Sequence, residues 1–394
     1  MRRALALVVG TLLLWTAAPA GANGDHHNDD RDREHRDRHG QVRLNQIQEL
    51  GTHNSYHVQA GPSLFSLLRN FSSALADSLE YTHLPLNRQL SAEGIRQFEL
   101  DLFTDPDGGL YADPAGPRIV KQFGLPPDLP PNDPTGVLRR PGLKVLHVQD
   151  IDFRSTCLTF VTCLRTIKRW SDDNQQHVPL MILVELKDDP IPDPGFGFVI
   201  PRKFGPADLD AVDREIRSVF SERQLITPDD VRGRHATLEE AVLSSGWPRL
   251  DDARGKVLFT LDNEGRQKDL YLAGHPSLRG RVLFTSSRPG SPEAAFVKLN
   301  DPLADGALIR DLVARGYIIR TRADADTVQA RTGDTRQRDA ALASGAQFVS
   351  TDYPVPNPAF GTGYFVALPG GGPARCNPVN APRSCPKRLE RLDR

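Results

Sequence analysis

The chain has 394 residues, with 49 basic against 50 acidic side chains and a formal net charge of −1. That balance gives no sign of the basic surface of a nucleic-acid binder and no global attraction to an anionic membrane. With 39% hydrophobic residues the sequence can bury a sizeable core, at a length that fits two or three domains or one large β/α barrel.

The first 22 residues read as a signal peptide. Arg2 and Arg3 form a positive start and Ala4 to Trp15 an apolar run. Small-residue cleavage patterns follow at Ala18-Pro19-Ala20 and Ala20-Gly21-Ala22. The run is short for a bilayer span, and no later segment is long and apolar enough to serve as one. Residues 23–41 hold a low-complexity stretch of Asp, His and Arg from Asp25 to His39. It has nothing apolar to bury, so it is expected to be a disordered, solvated spacer. The expected product is a secreted monomer whose barrel occupies residues 42–394.

Beyond the spacer, short apolar runs recur at 46–52, 96–102, 144–148, 180–186, 256–261, 281–285, 317–321 and 347–351. They are rich in β-branched and aromatic residues and most end in polar ones, the pattern of buried parallel strands. Between them, 206–221, 238–244, 307–315 and 335–343 have helical spacing or helix boundaries, with Thr237 as an N-cap and Gly316 and Gly345 as stops. Eight strands with helical connections predict a (β/α)8 barrel of the α/β class. An open doubly wound sheet fits less well, because Gly51-Thr52-His53-Asn54-Ser55 after the first strand lacks the glycine fingerprint of that fold. The Pro-, Gly- and Asp-rich stretch 104–141 predicts a long loop with a possible hairpin over the end of strand two. The tail after Pro354 predicts an irregular extension. Cys157 and Cys163 lie close in sequence, as do Cys376 and Cys385. Export favours two local disulfides, although four cysteines allow three pairings. Phe65, Leu67 and Leu68, after the first strand, read as helix core in preference to a lipid-dipping loop.

Barrel active sites lie at the C-terminal strand ends. Those ends carry His53-Asn54, Glu99 with Asp101, His147 followed by Gln149 and Asp150, Glu185 with Lys187, Asp262-Asn263, Arg320 with Arg322, and Asp352. Strand alternation puts Glu99 and Asp101 on one face and Phe98, Leu100 and Leu102 on the other. Inward-facing carboxylates are costly unless neutralised. Three carboxylates with the Asn54 side-chain oxygen make an all-oxygen set suited to Ca2+ or Mg2+. The two histidines supply proton transfer near neutral pH.

This constellation resembles the phosphatidylinositol-specific phospholipases C, most closely the bacterial, secreted, calcium-dependent branch. Leu50-Gly51-Thr52-His53-Asn54-Ser55-Tyr56 resembles the first catalytic-histidine motif, Phe98-Glu99-Leu100-Asp101 the acidic metal-binding motif, and Val184-Glu185-Leu186 the segment of the last metal-ligating glutamate. His147 falls where the second histidine belongs. The resemblance implies Ca2+ held by Asn54, Glu99, Asp101 and Glu185. It implies His53 donating to the phosphoryl oxygens, His147 as general acid to the leaving diacylglycerol, and Glu99 or Asp101 as base for the inositol 2-hydroxyl. Lys187, Arg320 and Arg322 are candidates for binding the scissile phosphate or the ring. A cyclic inositol phosphate is the implied first product, and the partner is a phospholipid met transiently at a membrane surface. A glycerophosphodiester phosphodiesterase uses the same barrel and ion but starts with a His-Arg motif. A catalytically silent, ligand-binding barrel is the remaining alternative.

Overall fold

The computed structural model describes residues 42–390, apart from Ser245. The expected signal peptide and the expected spacer lie outside the described residues. Eleven strands form one sheet. They are β1 (Ile47–Thr52), β2 (Gln97–Phe103), β3 (Lys144–Val145), β4 (Leu180–Leu186), β5 (Leu225–Ile226), β6 (Val257–Leu261), β7 (Leu283–Thr285), β8 (Phe296–Lys298), β9 (Ile318–Arg322), β10 (Phe348–Thr351) and β11 (Ala374–Cys376).

Eight of these follow one another in parallel around the barrel. β1 pairs β2, and β2 pairs β4 over six residues from Gln97↔Met181 to Leu102↔Leu186. β4 pairs β6 and β6 pairs β7. A single parallel bridge, Ser286↔Phe296, carries the sheet from β7 to β8. Two hydrogen bonds support it: Ser287 N–H donates to the Phe296 carbonyl (3.1 Å) and Lys298 N–H to Ser286 Oγ (3.1 Å). β8 pairs β9, β9 pairs β10, and β10 returns to β1. The predicted (β/α)8 architecture is therefore present.

Two strand assignments change within it. The run 144–148 is not a barrel strand. Only Lys144 and Val145 are extended, and they run antiparallel to Leu102 and Phe103 at the end of β2. β2 and β4 bond directly, so no slot exists between them. The eighth place goes to Phe296–Lys298, which follows β7 through a turn with no helix. Loop 104–141 contains a helix, Ala115–Gln122, and a 3-10 turn, Val137–Arg139, and no hairpin. The tail contributes β11, antiparallel to Ile47–Glu49, so it is less irregular than expected.

Helix positions follow their local signals. Pro206–Val219 and Leu238–Leu243 match the predicted spans, with Thr237 Oγ1 accepting from Glu240 N–H. Pro302–Arg315 begins earlier than expected because Asp301 caps it, its carboxylate accepting from Leu303 and Ala304 N–H. Phe65 and Leu68 are buried in helix Pro62–Phe71, as the core reading required. Outward-facing Phe98, Leu100 and Leu102 join Phe160, Leu164 and Ile167 of helix Phe160–Asp173 in the main apolar core. Inward parity leaves Gln97, Glu99 and Asp101 facing the barrel axis. Both expected local disulfides, Cys157–Cys163 and Cys376–Cys385, are formed. Among the described residues no helix is long and apolar enough to cross a membrane.

Candidate active site

β1 ends at Thr52 and delivers His53 and Asn54 to the barrel mouth. Asn54 has φ +45°, a conformation asparagine accepts more readily than most residues. The turn is pinned by Ser55, whose Oγ accepts from Glu99 N–H (2.8 Å), and by Gln89, whose amide donates to the Ser55 carbonyl (2.6 Å). This ties the His53 segment to the strand carrying the acidic pair.

His53 Nδ1 lies 2.8 Å from Asp352 Oδ1, and Asp352 Oδ2 accepts from Arg322 Nη2 (3.1 Å). A carboxylate on Nδ1 fixes the proton there and leaves the Nε2 lone pair facing the site. Nε2 is 3.4 Å from Arg322 Nη1 and 3.7 Å from Glu99 Oε1. Loss of solvent and then the Arg322 charge hold the imidazole down to about 3. Asp352 remains ionised despite its burial, held down by His53 and Arg322. His83 Nε2 is 2.9 Å from the His53 carbonyl, securing the backbone beneath the ring.

Ligand atoms of Glu99, Asp101 and Glu185 lie within 4.8 Å of one another. Burial pushes the Glu99 carboxyl up to about 7 and Asp101 well above the usual range. Lys187 Nζ meets this charge at 3.1 Å from Glu185 Oε1 and 3.4 Å from Asp101 Oδ2. Arg320 is fully buried, its guanidinium bonded to Glu99 Oε2 and to Asn300 Oδ1 (2.7 Å). Asp101 Oδ1 and Asn54 Oδ1 are buried without a hydrogen-bond partner, and Asp101 Oδ2 has the Lys187 ammonium at 3.4 Å. The Asn54 amide nitrogen is used, donating to Tyr81 OH (2.9 Å), which leaves its oxygen free of that bond. Unsatisfied buried oxygens of this kind are rare and costly. Together with Glu99 and Glu185 they fit a hard divalent cation such as Ca2+.

His147 lies on the loop after β3, not at a barrel strand end. Its Nδ1 is 2.7 Å from Asp152 Oδ2. Buried His57 approaches the same carboxylate, with Nε2 2.8 Å from Oδ2 and 3.0 Å from Oδ1. The two rings meet edge to face at 5.7 Å, and His57 stacks on Tyr81 at 4.2 Å. The site thus contains two aspartates that orient histidines, Asp352 with His53 and Asp152 with both His147 and His57, together with one acidic cluster.

The structure brings His53, Glu99, Asp101, Glu185, Lys187, Arg320 and Arg322 into one connected network, with Asn54 beside His53 in the same turn. Sequence reasoning missed Asp152, because a loop residue carries no strand parity. It named Asp352 at a strand end without giving it a role. It also missed Lys298, whose Nζ pairs with Asp262 Oδ2 (2.6 Å), because β8 was not recognised.

A family model described as "Phosphoinositide phospholipase C, Ca2+-dependent" matches residues 42–378. The chain belongs to this family. As a Ca2+-dependent phosphoinositide phospholipase C it is a phosphodiesterase. Among solved structures, a calcium-dependent phosphoinositol-specific phospholipase C from a Gram-negative Pseudomonas species is 16% identical, with a TM-score of 0.51, covering 86% of this chain and 96% of that one. A myoinositol complex of the Pseudomonas enzyme gives 17% identity, the same TM-score and the same coverage. The Ca2+-dependent phosphatidylinositol-specific phospholipase C of Streptomyces antibioticus is 19% identical, with a TM-score of 0.47, covering 82% of this chain and 97% of that one. No curated protein matches the chain. At these identities the two Pseudomonas structures bear on the fold, and the barrel of this phospholipase C family member agrees with them.

Proposed function

We propose that this enzyme cleaves phosphatidylinositol to diacylglycerol and a cyclic inositol phosphate. The observation that carries the reading is the buried cluster of Glu99, Asp101 and Glu185 with aspartate-oriented His53 against it, 3.7 Å from Glu99 Oε1, and a second aspartate-oriented histidine, His147. Asn54, Glu99, Asp101 and Glu185 would hold the cation. Ca2+, when bound, supplies positive charge that acidifies the inositol 2-hydroxyl and offsets charge building on the phosphate.

The chain's own groups move the protons. His53 Nε2 takes the proton of the 2-hydroxyl. Glu99 is bonded to Arg320, which leaves His53 as the base, and Asp352 stabilises the resulting imidazolium. The charged ring then donates to a phosphoryl oxygen. His147, as imidazolium, gives its Nε2 proton to the departing glycerol oxygen, with Asp152 holding Nδ1. Arg322 borders the phosphate, Lys187 the ring side of the acidic cluster, and Arg320 orients Glu99. Export fits the charged, apolar N-terminal sequence and the two disulfides.

The test is cleavage of phosphatidylinositol by the mature protein with Ca2+ and with chelator, beside His53→Ala. Diacylglycerol release that needs Ca2+ and is lost in the variant supports the reading. Ca2+-dependent cleavage of glycerophosphodiesters alone would replace it with the rival diesterase.

A further inference from the structure

The loop bearing His147 has little regular structure to hold it. It closes on itself through Val148 and Asp152, which exchange two backbone hydrogen bonds of 3.0 Å. His57 holds the Asp152 side chain at one end, and the main chain between is held chiefly through one residue, Asp150. Asp150 is buried, has φ +70°, and is not glycine. A side chain in that conformation carries strain and persists only where its surroundings hold it.

The surroundings are three main-chain donors from two other connections of the barrel. Asp150 Oδ1 accepts from Ala115 N–H (2.7 Å), at the start of helix Ala115–Gln122 in the β2–β3 connection. Oδ2 accepts from Val199 N–H (2.6 Å), in the β4–β5 connection. The Asp150 carbonyl accepts from Gly116 N–H (2.9 Å). Next door, Gln149 Nε2 donates to the Asp189 carbonyl (3.3 Å). Gly116 is part of the fit: a β-carbon there would lie 2.9 Å from the Asp150 carbonyl oxygen, 2.8 Å from Phe153 and 2.7 Å from Leu64. Asp152 orients the imidazole ring, but Asp150 locates the backbone from which both His147 and Asp152 project.

We propose that Asp150 is the positioning residue for the general acid, clamping the His147 loop between the two neighbouring barrel connections. The proposal rests on His147 being the acid. A misplacement of about 1 Å in such a group costs on the order of 100-fold in rate. The loss is specific to reactions that need the proton.

Two substrates separate that effect from general damage. Phosphatidylinositol releases an alkoxide that must be protonated. Inositol 1-(4-nitrophenyl phosphate) releases a nitrophenolate that leaves without a proton. Asp150→Asn tolerates the same backbone conformation and removes the double acceptor; Gly116→Ala pushes on the clamp from the other side. In both, the ratio of the kcat for phosphatidylinositol to that for the aryl ester, measured on one sample, is expected to fall at least about tenfold. His147→Ala sets the full extent of the fall. Because the ratio is independent of how much protein folds, a parallel loss on both substrates overturns the proposal, as does an unchanged ratio. If the parent cleaves both substrates and His147→Ala leaves the ratio unchanged, the acid assignment fails and the proposal goes with it. If the parent cleaves neither, the substrate reading itself is at fault.

Discussion

Glu99→Gln is expected to make the calcium-free protein more stable at alkaline pH while weakening its hold on calcium. Burial raises the Glu99 carboxyl from 4.5 to about 7. A carboxyl raised in this way costs nothing below its unfolded value. It destabilises progressively as pH climbs toward its folded value and exacts the full penalty above it. At about 1.4 kcal/mol per pKa unit the full penalty is on the order of 3 kcal/mol, most of which develops between pH 5 and pH 8. Glutamine mimics the protonated acid, so parent and variant should unfold alike at pH 5 in chelator. At pH 8 the variant should be the more stable by about 2–3 kcal/mol. Urea unfolding at both pH values measures this directly. Saturating Ca2+ should then stabilise the parent at pH 8 and the variant much less. A stability difference that is the same at pH 5 and pH 8 would refute the reasoning, because it would mean that Glu99 is not held protonated by its burial.

Three further perturbations follow from the geometry. Asp352→Asn removes the carboxylate behind His53 and should lower kcat on phosphatidylinositol by roughly 10²- to 10⁴-fold with little change in KM, measured by steady-state kinetics. Glu390→Gln acts at the other end of the barrel, where Glu390 neutralises buried Arg96 and accepts from Val178 N–H (2.8 Å); it should cost about 3–5 kcal/mol in urea unfolding and leave kcat unchanged. Gly51→Ala places a β-carbon 1.8 Å from Gln97 Oε1 and 2.7 Å from Gln97 Cβ, so Gln97 must move at the β1–β2 pairing. A loss of about 1–3 kcal/mol by thermal unfolding is expected.

Most of the barrel could be read from sequence because buried parallel strands are continuous apolar runs, and seven of the eight expected runs became barrel strands. The failures have a common cause. Phe296–Lys298 is three residues long and follows a Ser-, Pro- and Gly-rich turn, so its pairing depends on neighbours far away in sequence. Lys144–Val148 has the right composition, but direct bonding of β2 to β4 excludes it. The same contrast holds in the site. Glu99, Asp101 and Glu185 were visible through parity and strand ends. Asp150 and Asp152 act from an irregular loop, where only the folded backbone reveals which donors a carboxylate meets.

The position of β1 has a consequence for how the chain reaches this structure. On one edge β1 meets β2, its neighbour in sequence, but its other partners, β10 and β11, come from the far end of the chain. The barrel's seam is therefore its longest-range contact. Closing it carries a loop entropy that earlier pairings do not, which slows folding. Until it closes, β1 presents an unpaired edge, the kind of surface on which nascent chains associate. A chain interrupted before β10 would keep the His53 segment and the acidic strand but leave that edge open, making aggregation its expected fate.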